Sequence, residues 1–82
     1  MTPTDKKRAN SLLVTISFGG GTGQARALRG ELESVHGIAV TLDRVRADLA
    51  WLADVGLVLR QGDTVVLTQE GREVADGTRE LP

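Results

Sequence analysis

The chain has no cysteine, so neither a disulfide nor a thiolate metal site can brace the fold. No stretch reaches the roughly 18 apolar residues that a membrane span needs. The first residues, Met1-Thr2-Pro3-Thr4-Asp5, lack the basic, apolar and small-residue layout of a secretory signal. Together these absences lead to the expectation of a soluble, cytoplasmic protein. An excess of charge of either sign is missing too. Ten Lys and Arg stand against eleven Asp and Glu, a net charge of −1, which argues against a ligand held by bulk electrostatics alone. There is no internal repeat and no interdomain linker, and the only low-complexity run is Gly19-Gly20-Gly21.

What is present fits one small domain spanning residues 1–82, with its core within about 5–77. A chain of 82 residues buries only about 60–65% of the surface it exposes when unfolded, so its core must be economical. Apolar residues make up 40% and charged residues 26%, both within the globular range. The charge is uneven along the chain. Residues 1–30 carry Lys6, Lys7, Arg8, Arg26 and Arg29 against Asp5 alone, whereas residues 61–82 carry Asp63, Glu70, Glu73, Asp76 and Glu80 against Arg72 and Arg79.

Hydrophobic spacing divides the chain into elements. Ala9, Leu12, Leu13 and Ile16 recur at helical intervals and predict a helix over 5–18, although its β-branched tail, Val14-Thr15-Ile16-Ser17-Phe18, is also compatible with a strand. The glycine run breaks it. Thr22 is a candidate N-cap for a second helix whose Ala25, Leu28, Leu32 and Val35 line one face; Gly37 is its expected C′ residue. Thr41 is the candidate cap of a third helix, over 41–55, with Leu42, Val45, Leu49 and Leu52 inward and Gly56 as its stop. Leu57–Arg60 and Thr64–Leu67 read as two strands joined by the hairpin residues Gln61-Gly62-Asp63. Thr68 is placed to cap a short last helix carrying Val74 and Ala75 and ending near Gly77, followed by a frayed tail. The expected core comprises Leu28, Leu32, Val45, Leu49, Leu52, Leu57, Val66 and Leu67.

Three helices, with a short turn between the second and third, then a two-stranded antiparallel hairpin and a closing helix, make an α+β winged helix-turn-helix plan. The stretch "DRVRADLAWLADVGLVLRQGDTVVLTQEGREVADG" resembles bacterial winged-helix regulators. It is more closely similar to the small winged-helix proteins of Mu-like phages and prophages. That resemblance covers residues 40–77 and implies a transcriptional regulator that binds double-stranded DNA, with helix 41–55 as its recognition helix. It extends only loosely to the second helix and leaves the first helix and the glycine loop without a counterpart.

The candidate DNA-binding residues follow from that plan. Thr41, Arg44, Arg46 and Ala47 occupy the half of the third helix that enters a major groove, and arginine is the usual partner of guanine edges and phosphate. Arg26 and Arg29 lie three apart on the second helix, which crosses the DNA backbone, and Arg60 and Gln61 stand at the wing tip. Against this, Asp43, Asp48 and Asp54 outnumber the two arginines of the third helix. The competing reading is therefore a protein–protein interaction module of phage regulation or assembly on the same fold. Trp51 lies about 140° from the centre of the inward face at 100° per residue. Aromatic anchors are enriched at interfaces, so Trp51 is a candidate for contact with a second copy in a homodimer or with the chain's own N-terminal segment, beside plain packing at the domain edge.

Enzyme chemistry finds no constellation here, and no cofactor or metal is expected. Gly19-Gly20-Gly21-Thr22-Gly23 could cradle phosphate with backbone N–H groups and resembles part of the tubulin-type GTPase signature. No Gly-Lys-Ser/Thr follows it, however. Arg26 stands where a dinucleotide motif starting at Gly21 needs its last glycine, and Ala25 stands where the tubulin-type motif needs one. An inter-helix loop is the simpler expectation. His36, the only histidine, has no metal-ligating company and is expected to be structural or solvated.

Overall fold

The computed structural model describes residues 2–82. Its element order is α1 (Pro3–Phe18), β1 (Thr22–Gln24), α2 (Ala25–His36), α3 (Leu42–Asp54), β2 (Val58–Gln61), β3 (Thr64–Leu67) and α4 (Gln69–Asp76). The class is α+β, with four helices and one three-stranded antiparallel sheet in the order β1-β3-β2. No helix is long and apolar enough to cross a membrane among the described residues.

α1 starts two residues earlier than the apolar spacing predicts, because a capping box begins it. The Thr2 side chain accepts from the Asp5 N–H while the Asp5 carboxylate accepts from the Thr2 N–H, and Pro3 occupies the first helical position, where its missing donor costs nothing. The β-branched tail stays helical. Leu12, Leu13, Thr15 and Ile16 are all buried, and tertiary packing of that face outweighs local propensity. Beyond Phe18 the chain turns through Gly20 and Gly21, at φ 84° and 93°, a region glycine enters without steric cost. The Gly21 carbonyl accepts from the Leu67 N–H at 2.8 Å, tying the loop to β3.

Two expectations need correction here. Thr22 does not cap α2: it is the first residue of β1 and faces Val66 across the ladder. The N-cap is Gln24, whose side chain makes no capping bond. The hairpin sheet thereby gains a third strand. Val66 and Val35 are not core residues: they are 43% and 71% exposed, while Val65 is fully buried. In a strand, residues two apart share a face, so Val65 and Leu67 point inward together and Val66 must point out. Val35 lies near the end of α2, past the turn that Leu32 buries.

α2 ends at Gly37 in the left-handed region, with its N–H bonded to the Leu32 carbonyl. Thr41 caps α3 by accepting from the Arg44 N–H, and Thr68 caps α4 by accepting from the Gly71 N–H. One core gathers Leu12, Leu13, Ile16, Leu28, Leu32, Val45, Leu49, Leu52, Leu57, Val58, Val65, Leu67 and Val74 from every helix and from β2 and β3. The tail is not frayed as expected. The Thr78 N–H bonds to the Glu73 carbonyl, Arg79 pairs with Glu73 at 2.8 Å, and Leu81 packs against the core.

One ion pair joins α1 to α3. Arg8 Nε donates to Asp48 Oδ2, and Arg8 Nη2 donates to Asp48 Oδ1 at 3.1 Å. Their side chains are only 7% and 6% exposed. Asp5 also takes a bond from Arg8 Nη2, at 2.7 Å. A guanidinium buried this deeply needs its acceptors, and Asp48, the first of them, pushes its pKa further up.

Candidate nucleic-acid interface

The hairpin turn, the start of α2 and the middle of α3 meet at one residue, Asp63. Its main-chain carbonyl accepts from the Ala25 N–H at 2.9 Å, which seats the first residue of α2 on the turn. Its carboxylate takes a two-pronged bond from Arg46, Nε to Oδ1 at 3.0 Å and Nη2 to Oδ2 at 2.9 Å. Planar fork-to-carboxylate geometry of this kind fixes orientation as well as distance. Arg60 turns back along the hairpin and donates from Nε to the Gly62 carbonyl at 2.9 Å. The hydrogen bond from Arg46 first, and then the charges of Arg46, Arg60 and Arg26, hold the Asp63 carboxyl below the usual carboxylate range. Asp63 correspondingly pushes the Arg46 guanidinium up.

Of the residues singled out from the sequence, Arg26, Arg46, Arg60 and Gln61 come together at this turn. Arg26, Arg60 and Gln61 are exposed, and Gln61 faces Thr64 at the end of the ladder. Arg46 is not a free reader: besides Asp63 it has the carboxylate of Asp43 at 3.8 Å. Arg29 is half-buried and lies 4.0 Å from Glu33 on its own helix. Thr41 is exposed, with its hydroxyl engaged in the α3 cap.

Arg44 and Ala47 lie on the other flank of α3. With Trp51 they line a shallow hollow bounded by Asp5 and Asp48. Among the described residues no carboxylate lies within 4 Å of Arg44. Trp51 is half-buried and packs against the edge of the chain's own core. The outermost line of α3, opposite Val45, Leu49 and Leu52, carries Asp43, Ala47, Ala50 and Asp54 at the helical repeat.

Two contributors went unforeseen. Asp63 carried only a hairpin signal, and its pairing with Arg46 across seventeen residues has no local signature. β1, which delivers α2 to the turn, is three residues of Thr, Gly and Gln, with no apolar alternation to reveal it. The glycine run gets a structural account instead of a phosphate cradle: a Cβ on Gly21 would sit 2.8 Å from Arg72 Nη2, so the loop is packed against a side chain of α4. His36 Nε2 lies 3.0 Å from the Thr15 hydroxyl, which itself donates to the Ser11 carbonyl; the imidazole therefore donates and closes α2 onto α1.

Comparison with known protein families, characterised proteins and solved structures finds no match for the chain.

Proposed function

We propose that the chain is a winged helix-turn-helix protein that binds double-stranded DNA, a regulator of the bacterial or phage type that residues 40–77 resemble. In this reading α3 is the recognition helix and β2–β3 the wing. α2 crosses the phosphate backbone, where its uncapped start carries no acidic residue in the first turn. The observation that carries the reading is the convergence at Asp63. It bonds Arg46 to the Asp63 carboxylate, Arg60 to the neighbouring Gly62 carbonyl, and Ala25, the residue before Arg26, to the Asp63 carbonyl, so that arginines from three separate elements are rooted at one turn. Arg26 and Arg60 serve as phosphate contacts, and Arg44 with Ala47 as the groove-facing part of α3.

The test is fluorescence anisotropy on a mixed-sequence duplex across a range of salt. Binding at about 50 mM salt with a log–log slope of about −2 to −4 is expected, flattening by about one unit in Arg26→Ala. Sedimentation of the protein–DNA complex gives the number of copies, with two expected if half-sites are read by a homodimer.

A second reading has its own support. Asp43 and Asp54 mark both ends of the outward line of α3, and Leu59, 68% exposed, faces Val66 across the outer side of the sheet. Acidic residues at both ends of that line, and an exposed apolar strand pair elsewhere on the surface, suit a protein partner better than a polyanion. No binding to duplex DNA at about 50 mM salt decides for this second reading.

A further inference from the structure

We propose that the Arg46 fork, with Arg26 and Arg60 rooted at the same turn, forms a phosphate-oxyanion site whose anion position is filled by the chain's own Asp63 carboxylate, so that a phosphate reaches Arg46 only by displacing it. The identity of the natural ligand as a DNA phosphodiester rests on the proposed function; the site itself does not.

The geometry is that of an occupied anion site. A guanidinium fork accepts a carboxylate and a phosphate in the same two-pronged manner, and Arg46 holds Asp63 in that manner, at 3.0 and 2.9 Å. The other two cations are rooted at the same turn. Arg60 is anchored through Nε on the Gly62 carbonyl, and Arg26 follows the residue whose N–H bonds to the Asp63 carbonyl. Among the described residues neither has a carboxylate of its own within 4 Å. One guanidinium thus holds the Asp63 carboxylate, with Asp43 at 3.8 Å as its second acid, while the two further arginines rooted at the same turn have no carboxylate within 4 Å among the described residues, which leaves an excess of positive charge.

The internal anion is replaceable. The Asp63 side chain is 31% exposed and that of Arg46 38%, so water and solute ions reach the pair. Ion pairs at that exposure are weak and screened by salt. A carboxylate brings one negative charge on a tethered, short side chain. Inorganic phosphate brings a third acceptor oxygen and more charge, and a phosphodiester, untethered to the turn, brings two anionic oxygens that can bridge Arg46 to Arg26 or Arg60. Asp63 therefore acts as an attenuator. It keeps Arg46 extended towards the turn, and it lowers affinity for any phosphate by occupying the fork and by adding its own charge.

The consequence is a gain on deletion. Asp63→Asn removes the charge while leaving the main-chain carbonyl that holds Ala25. Asp63→Ser also removes the oxygen that an Asn amide could still offer Arg46. Both variants and the parent are titrated with inorganic phosphate. Binding is followed by the Arg46 Nε–H and Arg26 amide signals in nitrogen-15 correlation spectra, with melting curves recorded alongside. The same proteins are then titrated into a mixed-sequence duplex.

Both variants should bind phosphate about three- to tenfold more tightly than the parent. On the duplex the salt slope should steepen by about 0.9, one additional phosphate. Tighter phosphate binding by the variants, with no duplex binding by any of the proteins, keeps the site and removes the DNA reading. Duplex binding by the parent, with folded variants no tighter on phosphate or tighter without movement of the Arg46 signal, overturns the site and leaves the DNA reading standing.

Discussion

Glycine in the middle of a helix is destabilising, and replacing it with alanine ordinarily gains about 1 kcal/mol. Gly71, in the first half of α4, should do the opposite. A Cβ built there would lie 1.8 Å from the Leu57 carbonyl oxygen and 3.1 Å from Leu67 Cδ2. The carbonyl cannot step aside. Leu57 is held on one side by its N–H bond to the Leu52 carbonyl at 2.9 Å, and on the other by the Thr68 N–H at 3.2 Å on the same oxygen. Relief must come from α4 itself, which would have to move by roughly 1.5 Å to restore an ordinary contact. Such a shift strains the cap bond from Gly71 N–H to Thr68 Oγ1, now 3.0 Å, and uncovers Val74, now 6% exposed.

Loss of a cap costs about 1 kcal/mol, and loss of a buried valine about 1.5–3 kcal/mol. Net of the propensity gain, Gly71→Ala should destabilise by about 1.5–3 kcal/mol. For a domain of this size that lowers Tm by about 6–24 °C. The internal control is Gly30→Ala. Gly30 is exposed within α2, and a Cβ there meets nothing within 4 Å, so this variant should gain about 0.5–1 kcal/mol. Thermal and urea melts of the two variants side by side test the reasoning. A rise in Tm for both would show that α4 does not pack this closely on Leu57, and would remove the stated reason for a glycine at that position.

Asp48→Ala leaves the Arg8 guanidinium, 7% exposed, with only Asp5, and should cost about 3 kcal/mol in a urea melt; adding Arg8→Met should recover most of the loss, and no recovery would mean that Asp48 matters through something other than this pair. Val65→Ala should cost about 1.5–3 kcal/mol, whereas Val66→Ala on the outer face should cost well under 1 kcal/mol; equal losses would place the strand in the other register. Arg8 first, then Thr2, hold Asp5 down from 3.8 to about 2, and Arg79 lowers Glu73 as Arg46 lowers Asp63. A depressed carboxyl stabilises fully above its unfolded pKa and loses that contribution as pH falls through the folded one. Tm should therefore hold from about pH 7 to about pH 5 and fall between about pH 4 and about pH 2, with a shallower fall in Asp5→Asn.

What could be read from the sequence, and what could not, divides by range. Thr41 and Thr68 as caps, Gly37 and Gly56 as stops, and the inward stripe of Val45, Leu49 and Leu52 are all local signals. Capping and periodicity act within a turn or two of helix, and each is found where the spacing puts it. β1 was invisible because Thr22-Gly23-Gln24 becomes a strand only through the ladder it forms with Thr64–Val66. The run Thr64-Val65-Val66-Leu67 hides its register, since three adjacent apolar residues do not say which face is inward. Arg8 and Arg46 each have a carboxylate three residues away, but the partners they fork onto, Asp48 and Asp63, lie forty and seventeen residues away, beyond any pattern of spacing.

The same range effect reverses one argument from composition. Counted along the helix, three aspartates outweigh two arginines in α3. In the folded chain Asp48 is turned inward and neutralised by Arg8, while Arg46 is committed to Asp63. What α3 offers to a partner is Arg44 on one flank, with Asp43 and Asp54 at the two ends of its outer line. Charge free to meet a polyanion is thus reduced on α3 to Arg44 and is otherwise carried by Arg26 and Arg60, from the start of α2 and from β2. A duplex approaching this surface would be positioned chiefly by the hairpin turn. The aspartates of α3 would sit where they penalise phosphate and favour donor groups on base edges. In the proposed reading the attenuating carboxylate of Asp63 would act in the same direction: weak attachment to backbone phosphate would leave more of the discrimination to the half of α3 that carries Arg44 and Ala47.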